Sequence, residues 1–323
     1  MKSKHHRKQE RGFHTRRSLG QNFLIDRAVI DDIIAGAEIG ADDLVIEIGP
    51  GMGALTMAAA ARARRVAAIE IDRRLLPILE QRLHPLENVR VIPGDILEID
   101  LGTLAAEERQ RDPRLQDVRV LGNLPYYITT PILLKLLQEK VPARSITIMM
   151  QKEVADRIQA PPGSRVYGAL SVTVQYYCKV EKVCEVSRRA FRPQPKVDST
   201  VLRLRPHGEK PAAVRSEECL FRCVRAAFAA RRKTLANSLG GLDGLGKEGA
   251  VRLLERAGID PGRRAETLSL TEFAALANGL ADGAAGSADS SSDSGTDSGT
   301  GRNESAVPAG QDGAAATTKA TTH

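Results

Sequence analysis

The 323-residue chain has no run of eighteen apolar residues, and no hydrophobic leader follows its basic N-terminus. Neither a membrane span nor secretion is expected, so the protein should stay in the cytoplasm. Cysteine is scarce. Cys178, Cys184, Cys219 and Cys223 are too few and too irregular for a disulfide scaffold or a zinc site of usual spacing. Cys219 and Cys223 stand one helical turn apart, but no second His or Cys pair accompanies them, so free thiols and no metal are expected. Apolar residues beyond alanine are nearly missing from Ala281 to His323, a stretch of Gly, Ala, Ser, Thr and Asp with six acidic and two basic residues. Such a segment cannot bury enough surface to offset its ordering entropy, and residues 281–323 are expected to be a disordered acidic tail. The tail masks how basic the rest is: the whole chain carries +7, and subtraction leaves +11 for residues 1–280. A basic body without a membrane span points to a polyanion partner.

The N-terminal residues 1–17 form a basic arm, with Lys2, Lys4, Arg7, Lys8, Arg11, Arg16 and Arg17 against one acid, Glu10. After it, Asp26 can cap a helix whose Val29, Ile30, Ile33 and Ile34 share one face, and Gln21 and Asn22 before the cap suit a lid. A strand over 44–48 runs through Gly49-Pro50-Gly51-Met52-Gly53 into an alanine-rich helix over 54–63. Glycines there admit a ligand where a Cβ would not, a pattern shared with dinucleotide folds. The next strand ends in Glu70, about where a ribose diol would be held, and a third leads through Pro93-Gly94 to Asp95. A fourth, over 118–122, delivers Asn123-Leu124-Pro125-Tyr126 to a sheet edge. Further strands are expected over 145–150, 170–177 and 199–204. With no long crossover helix near the end, the last strand should be antiparallel. Helical spacing returns after a polar linker at 206–211. The expected organisation is the arm, an α/β domain over 18–210, a small helical domain over 211–280, and the tail.

The Asn123 loop carries the chemistry. A side-chain oxygen and a neighbouring carbonyl make two acceptors, Pro125 has no N–H to fold back on them, and Tyr126 offers a flat face. That set suits a planar ring with an exocyclic amine, although Asn-x-Pro-aromatic is also ordinary turn chemistry. Adenine N6 is a poor nucleophile because its lone pair is delocalised; two acceptors on its hydrogens favour the pyramidal form that attacks a methyl group. Four successive strand ends, the glycine loop, Glu70, Asp95 and Asn123, mark a path for an adenosyl cofactor ending at a methyl-acceptor pocket. Phe191-Arg192-Pro193-Gln194-Pro195-Lys196-Val197-Asp198-Ser199 adds an aromatic and two cations near that edge. Arg222, Arg225, Arg231, Arg232 and Lys233 form the expected nucleic-acid face of the helical part.

These stretches, with Leu19 to Asp26, Glu47 to Thr56, Glu70-Ile71-Asp72, Gly122 to Ile128 and Gln151 to Ala155, together resemble the small-subunit (16S) ribosomal RNA adenine dimethyltransferases of the KsgA type, in order from Leu19 to Leu239. The resemblance implies a Rossmann-like S-adenosyl-L-methionine-dependent fold, with a mostly parallel sheet and a small helical domain. It also implies dimethylation of N6 on two adjacent adenosines in the 3′-terminal hairpin loop of small-subunit rRNA, within a partly assembled 30S-type subunit. By that likeness the cofactor lies against Asn22, Leu24, Gly49, Glu70, Asp95 and Asn123. The target base lies at Asn123, Leu124, Pro125 and Tyr126, sandwiched between Tyr126 and Phe191. Arg192, Lys196 and the five basic residues named above contact RNA. Erythromycin-resistance methyltransferases of the large subunit (23S) share the Gln-Asn-Phe-Leu and glycine-loop motifs, but Leu124 and the stretch 227–235 look more like the small-subunit group. A DNA adenine methyltransferase should carry a base-recognition domain not visible here. A non-catalytic assembly factor is argued against by intact Glu70, Asp95 and Asn123. Nothing in the sequence demands more than a monomer, and the stretch 105–113 matches no part of the family pattern.

Overall fold

The computed structural model describes residues 21–242 and 244–289, with side chains to Asp282. The basic arm over 1–17 therefore lies outside the described residues. Seven strands form one sheet: β1 (Leu44–Ile48), β2 (Arg65–Glu70), β3 (Val89–Pro93), β4 (Val118–Asn123), β5 (Ser145–Gln151), β6 (Cys178–Val186) and β7 (Ser199–Pro206). Their spatial order is β3-β2-β1-β4-β5-β7-β6. The first five are parallel, and β7, last in sequence, runs antiparallel to both β5 and β6, as expected. The order reverses at β1, with its neighbours β2 and β4 on either side, which is where open parallel sheets leave a crevice for ligands.

Both faces are covered, so the strands read as continuous apolar runs while their side chains still alternate. Leu44, Ile46 and Ile48 enter one core beside helices α4 (Leu101–Arg111), α5 (Thr129–Gln138) and α7 (Ala169–Tyr177). Val45, Val66, Leu121, Met149 and Val201 enter the other, beneath α1 (Arg27–Ala37) and α2 (Ala54–Ala60). Asp26 caps α1, its Oδ1 accepting from the Ala28 and Val29 N–H groups at 3.0 and 3.4 Å.

Two expectations about this part need correcting. Residues 170–177 are helix, and the strand falls on 178–186. Val172, Val174, Tyr176 and Tyr177 are all buried, so the segment shows no exposed face whose period could identify it. Local hydrogen bonds favour the helix: Ser171 Oγ accepts from Gly168 N at 3.0 Å, and Thr173 Oγ1 donates to the Ala169 carbonyl at 2.8 Å. The helix α11 (Leu270–Asp289) runs nine residues into the stretch expected to be unstructured from Ala281. Its alanines propagate a helix already started on buried Phe273, Leu276 and Ala277. The remainder of that tail lies outside the described residues.

Helices α8 (Glu217–Phe228), α9 (Leu235–Leu239), α10 (Gly246–Arg256) and the start of α11 form the C-terminal helical part. Leu220, Val224, Leu239, Leu254 and Phe273 belong to the same continuous core as Ile46, Val120 and Tyr176. The expected boundary at residue 210 thus separates elements but not cores, and the described residues up to Asp282 form one compact unit.

The stretch 105–113 acquires a role in α4. Glu108 is 1% exposed, and its carboxylate takes Arg65 of β2 at 3.2 Å, Arg90 of β3 at 2.7 Å and Arg111 at 3.2 Å. Glu108→Ala leaves Arg65 and Arg111 without that counter-charge and Arg90 with only exposed Glu107, at 4.0 Å. It should lower unfolding stability by about 3 kcal/mol, read from denaturant midpoints, whereas substitutions at exposed Glu107 should change little.

Candidate active site

A cleft opens along the C-terminal ends of β1, β2, β3 and β4, and three segments supply its walls. The first is the glycine loop. Gly49, Gly51 and Gly53 all have positive φ, at 68°, 57° and 79°. A Cβ at Gly49 would meet no protein atom within 4 Å because it would face the open cleft. A Cβ at Gly51 would approach the Phe23 ring to 3.0 Å. Glycine is needed there for backbone angle and close approach together.

The second wall is the carboxylate row. Glu70, at the end of β2, accepts from Gly51 N through Oε2 at 3.2 Å and from Asp72 N through Oε1 at 2.8 Å. Burial pushes its carboxyl above the usual range, although both backbone donors oppose the shift. Asp72 behaves oppositely. The Arg74 guanidinium and then the Gln21 amide, at 2.6 and 2.7 Å, hold it down at about 2 against the cost of burial. Ile71 between them is half exposed and presents an apolar surface to the cleft.

The third wall is a strap over residues 21–25. Gln21 donates to Asp72, Phe23 lies over Gly51, and the Asn22 carbonyl accepts from Asn123 Nδ2 at 3.1 Å. Phe23 and Leu24 pair antiparallel with Arg192 and Phe191, and Ile25 N donates to the Ala190 carbonyl at 2.8 Å. The strap therefore joins the glycine loop, the Asn123 loop and the loop over 187–198.

The acceptor loop is fixed from below. Pro125 O accepts from Ile128 N at 3.1 Å and from Thr129 Oγ1 at 3.0 Å, so it is occupied. The Leu124 carbonyl accepts no hydrogen bond among the described residues and is the backbone acceptor left beside Asn123. With Nδ2 of Asn123 committed to Asn22, its Oδ1 is the side-chain acceptor. Half-buried Tyr126 bonds through its hydroxyl to Ser199 Oγ at 2.9 Å. Burial, only partly offset by Ser199, raises its phenol pKa.

Asn22, Leu24, Gly49, Glu70, Asn123, Leu124, Pro125 and Tyr126 all line this one cleft. Two of the expected residues do not. Asp95 stands aside: Gly94 and Ile96 line the cleft, and Asp95 Oδ1 takes the Leu97 N–H at 2.9 Å. Phe191 is 4% exposed and packs in the core shared with Leu24 and Val201, so it offers the cleft no free face. Its backbone pairing to the strap is what draws it inward. Of the cations, Arg225 and Arg231 line a groove with Thr130, Arg157, Glu153 and Asp156. Arg232, Lys233, Arg192 and Lys196 are exposed, and Arg222 is half-buried.

Sequence reasoning assigned no role to Glu47, Ile71 or Ser199, or to the Gln21–Asp72 bond. Glu47 is the most telling omission. It is 1% exposed at the cleft floor, and its Oε2 and Thr56 Oγ1 are buried without a hydrogen-bond partner among the described residues. Its place in a strand that otherwise reads Leu-Val-Ile-Ile was the available signal, since a charged residue inside a buried strand needs a reason.

A family model described as ribosomal RNA adenine dimethylase matches residues 12–282. The chain belongs to the ribosomal RNA adenine dimethylase family. Curated relatives named ribosomal RNA small subunit methyltransferase A, from Bacillus mycoides (strain KBAB4) and Bacillus cereus (strain AH187), are each 52% identical over 272 residues. The alignments cover 83% of this chain and 92% of each relative. Among solved structures, a dimethyladenosine transferase from Plasmodium falciparum superposes with a TM-score of 0.66 at 28% identity, covering 79% of this chain and 95% of that one. The 23S rRNA methyltransferase ErmE gives 0.59 at 29% identity, covering 80% and 100%. An rRNA adenine dimethylase thus folds here as the Rossmann-like methyltransferase sheet expected from sequence.

Burial pushes the Glu47 carboxyl up to about 7, with the nearby Thr56 hydroxyl opposing the shift and the charge of Glu70 adding to it. A carboxyl raised in the folded state favours folding at low pH, and this contribution is lost as pH rises from about 4.5 through 7. Glu47→Gln should therefore gain stability relative to the parent across that window, read as denaturant midpoints against pH. A slope that persists unchanged in the variant would assign the titration elsewhere, with Glu70 shifted in the same direction.

Proposed function

We propose that this dimethylase transfers methyl groups from S-adenosyl-L-methionine to N6 of two adjacent adenosines in the 3′-terminal hairpin loop of small-subunit rRNA, acting on a partly assembled subunit. The observation that carries the substrate choice is the 52% identity to proteins named for the small subunit, against 29% to the large-subunit enzyme ErmE. Among the described residues no helix is long and apolar enough to cross a membrane.

The cleft fits the cofactor. An open face at Gly49, a buried carboxylate row and an unpartnered Glu47 oxygen are what a ligand with a ribose and a charged amino-acid end requires. Asn22, Leu24, Gly49, Glu70 and Asn123 would hold it, and when bound it supplies an electrophilic methyl group on a sulfonium. The chain's own contribution is placement. Asn123 Oδ1 and the Leu124 carbonyl take the two N6 hydrogens, which draws the lone pair out of conjugation and aims it along the cleft. Tyr126, tethered by Ser199, stacks the base and fixes its plane. The apolar wall of Leu24, Ile71 and Ile128 excludes water from the methyl path. No general base is needed before attack, because the amine proton becomes acidic once nitrogen carries the positive charge. With Phe191 buried, Tyr126 provides the stacking face by itself, and the cations at Arg192, Lys196, Arg222, Arg225, Arg231, Arg232 and Lys233 serve phosphates.

Labelled methyl transfer to isolated small and large subunits from cells lacking the activity tests the whole reading. N6,N6-dimethyladenosine should appear in small-subunit rRNA, and label confined to the large subunit would overturn the assignment. Asn123→Ala should lower kcat about a hundredfold with a far smaller loss of cofactor affinity, by analogy with removing one preorganised polar partner from a reacting centre. Equal losses would make Asn123 a cofactor ligand only. Replacing Arg231, Arg232 and Lys233 together with Ala should reduce the salt slope of rRNA binding by up to about 3, and an unchanged slope would exclude that turn as a phosphate site.

A further inference from the structure

The acceptor loop presents two tyrosines, and the reaction described above uses only one. Tyr126 and Tyr127 occupy the two corner positions of the turn closed by Ile128 N to Pro125 O at 3.1 Å. Tyr126 is held inward by Ser199 Oγ. Tyr127 is 57% exposed, yet it also lines the cleft. Among the described residues it has no ring partner and makes no hydrogen bond. Its backbone is nevertheless rigidly placed, because Thr129 Oγ1 adds a second bond to the same Pro125 carbonyl at 3.0 Å. An aromatic face that is both exposed and preorganised contributes no core packing here. Immediately beyond it, Thr130 begins the groove that contains Arg225 and Arg231, so Tyr127 stands between the acceptor pocket and a cationic path.

We propose that Tyr127 is the stacking platform for the nucleotide next to the one being methylated. The inference rests on the reading of the substrate as two adjacent adenosines. A base entering the pocket at Tyr126 must leave its stacked neighbour, and that neighbour loses a partner at the same moment. The Tyr127 ring replaces it, holding the second adenosine unstacked at the mouth of the site. A face-on contact of this kind is sequence-tolerant, so it serves whichever of the two adenosines is outside.

The test compares the parent protein with Tyr127→Ala and Tyr127→Phe on small subunits lacking the modification, following by mass spectrometry the fractions of rRNA with one or both adenosines dimethylated. Tyr127→Ala should slow both the first and the second modification about tenfold, the lower part of the range for loss of one base stack. Tyr127→Phe should keep the parental rates. Parental rates in Tyr127→Ala, or an equal defect in Tyr127→Phe, would overturn the platform. So would a defect that follows weakened S-adenosylmethionine binding, measured on the same variants by calorimetry. Failure of the parent protein to modify small subunits would instead overturn the substrate reading.

Discussion

The hydrogen bond from Asn123 Nδ2 to the Asn22 carbonyl ties together segments 101 residues apart, and the site depends on it. An amide side chain can present either oxygen or nitrogen to a ligand, and only the oxygen can accept an amine hydrogen. By engaging the nitrogen, the strap decides the question before any substrate arrives. The same strap lies across Gly51 through Phe23 and is stitched to residues 190–192 by a two-residue strand pair. The glycine loop, the Asn123 loop and the loop bearing Arg192 and Lys196 are therefore one connected body rather than three independent contributions.

That connection has an energetic counterpart in the carboxylates. Glu47 and Glu70 are both buried and both shifted toward their neutral forms, an expense that a purely structural strand would avoid by placing valine there. Asp72, two residues on, is ionised and matched to Arg74 and Gln21. Glu47 on β1 and Glu70 at the end of β2 line the cleft, whereas the ion-paired Asp72 does not. Buried polar groups left unsatisfied in the free protein are what a ligand can satisfy, and Glu47 Oε2 is such a group at the cleft floor.

What could be read from the sequence follows from where side chains end up. The five parallel strands and the glycine loop were legible because strand length, terminal polar residues and positive-φ glycines are local properties. The placing of Asn123, Leu124, Pro125 and Tyr126 at one cleft was legible because they directly follow a strand end. The segment 170–177 misled because burial on every side erases periodicity, and the edge strand 178–186, with lysine and glutamate along it, resembled a surface connection. Phe191 misled for a different reason. Its position beside a basic, proline-rich loop suggested exposure, while the pairing of its backbone with Leu24 turns the ring into the core. Glu47, Ser199 and the strap bond depend on contacts between distant segments, which no local pattern encodes.

The helical part illustrates why a boundary in composition need not be a boundary in mechanics. A helical region that buried its own core could move relative to the sheet, and its arginines would then sweep a range of positions. Here Leu220 and Val224 of α8 share a core with Tyr176 and the sheet, and Tyr176 and Tyr177 hydroxyls both reach Glu217 at the start of α8, at 3.4 and 3.0 Å. Lys210, in the connecting segment, sits 4.6 and 4.0 Å from the centroids of those two rings. Residues of α5, which follows the acceptor loop directly, and of α8 consequently face one another across a single groove. The distance between the Asn123 loop and Arg222 and Arg225 of α8 is set by side-chain packing rather than by a flexible linker. An enzyme that must find two particular adenosines by shape and phosphate position needs that distance fixed.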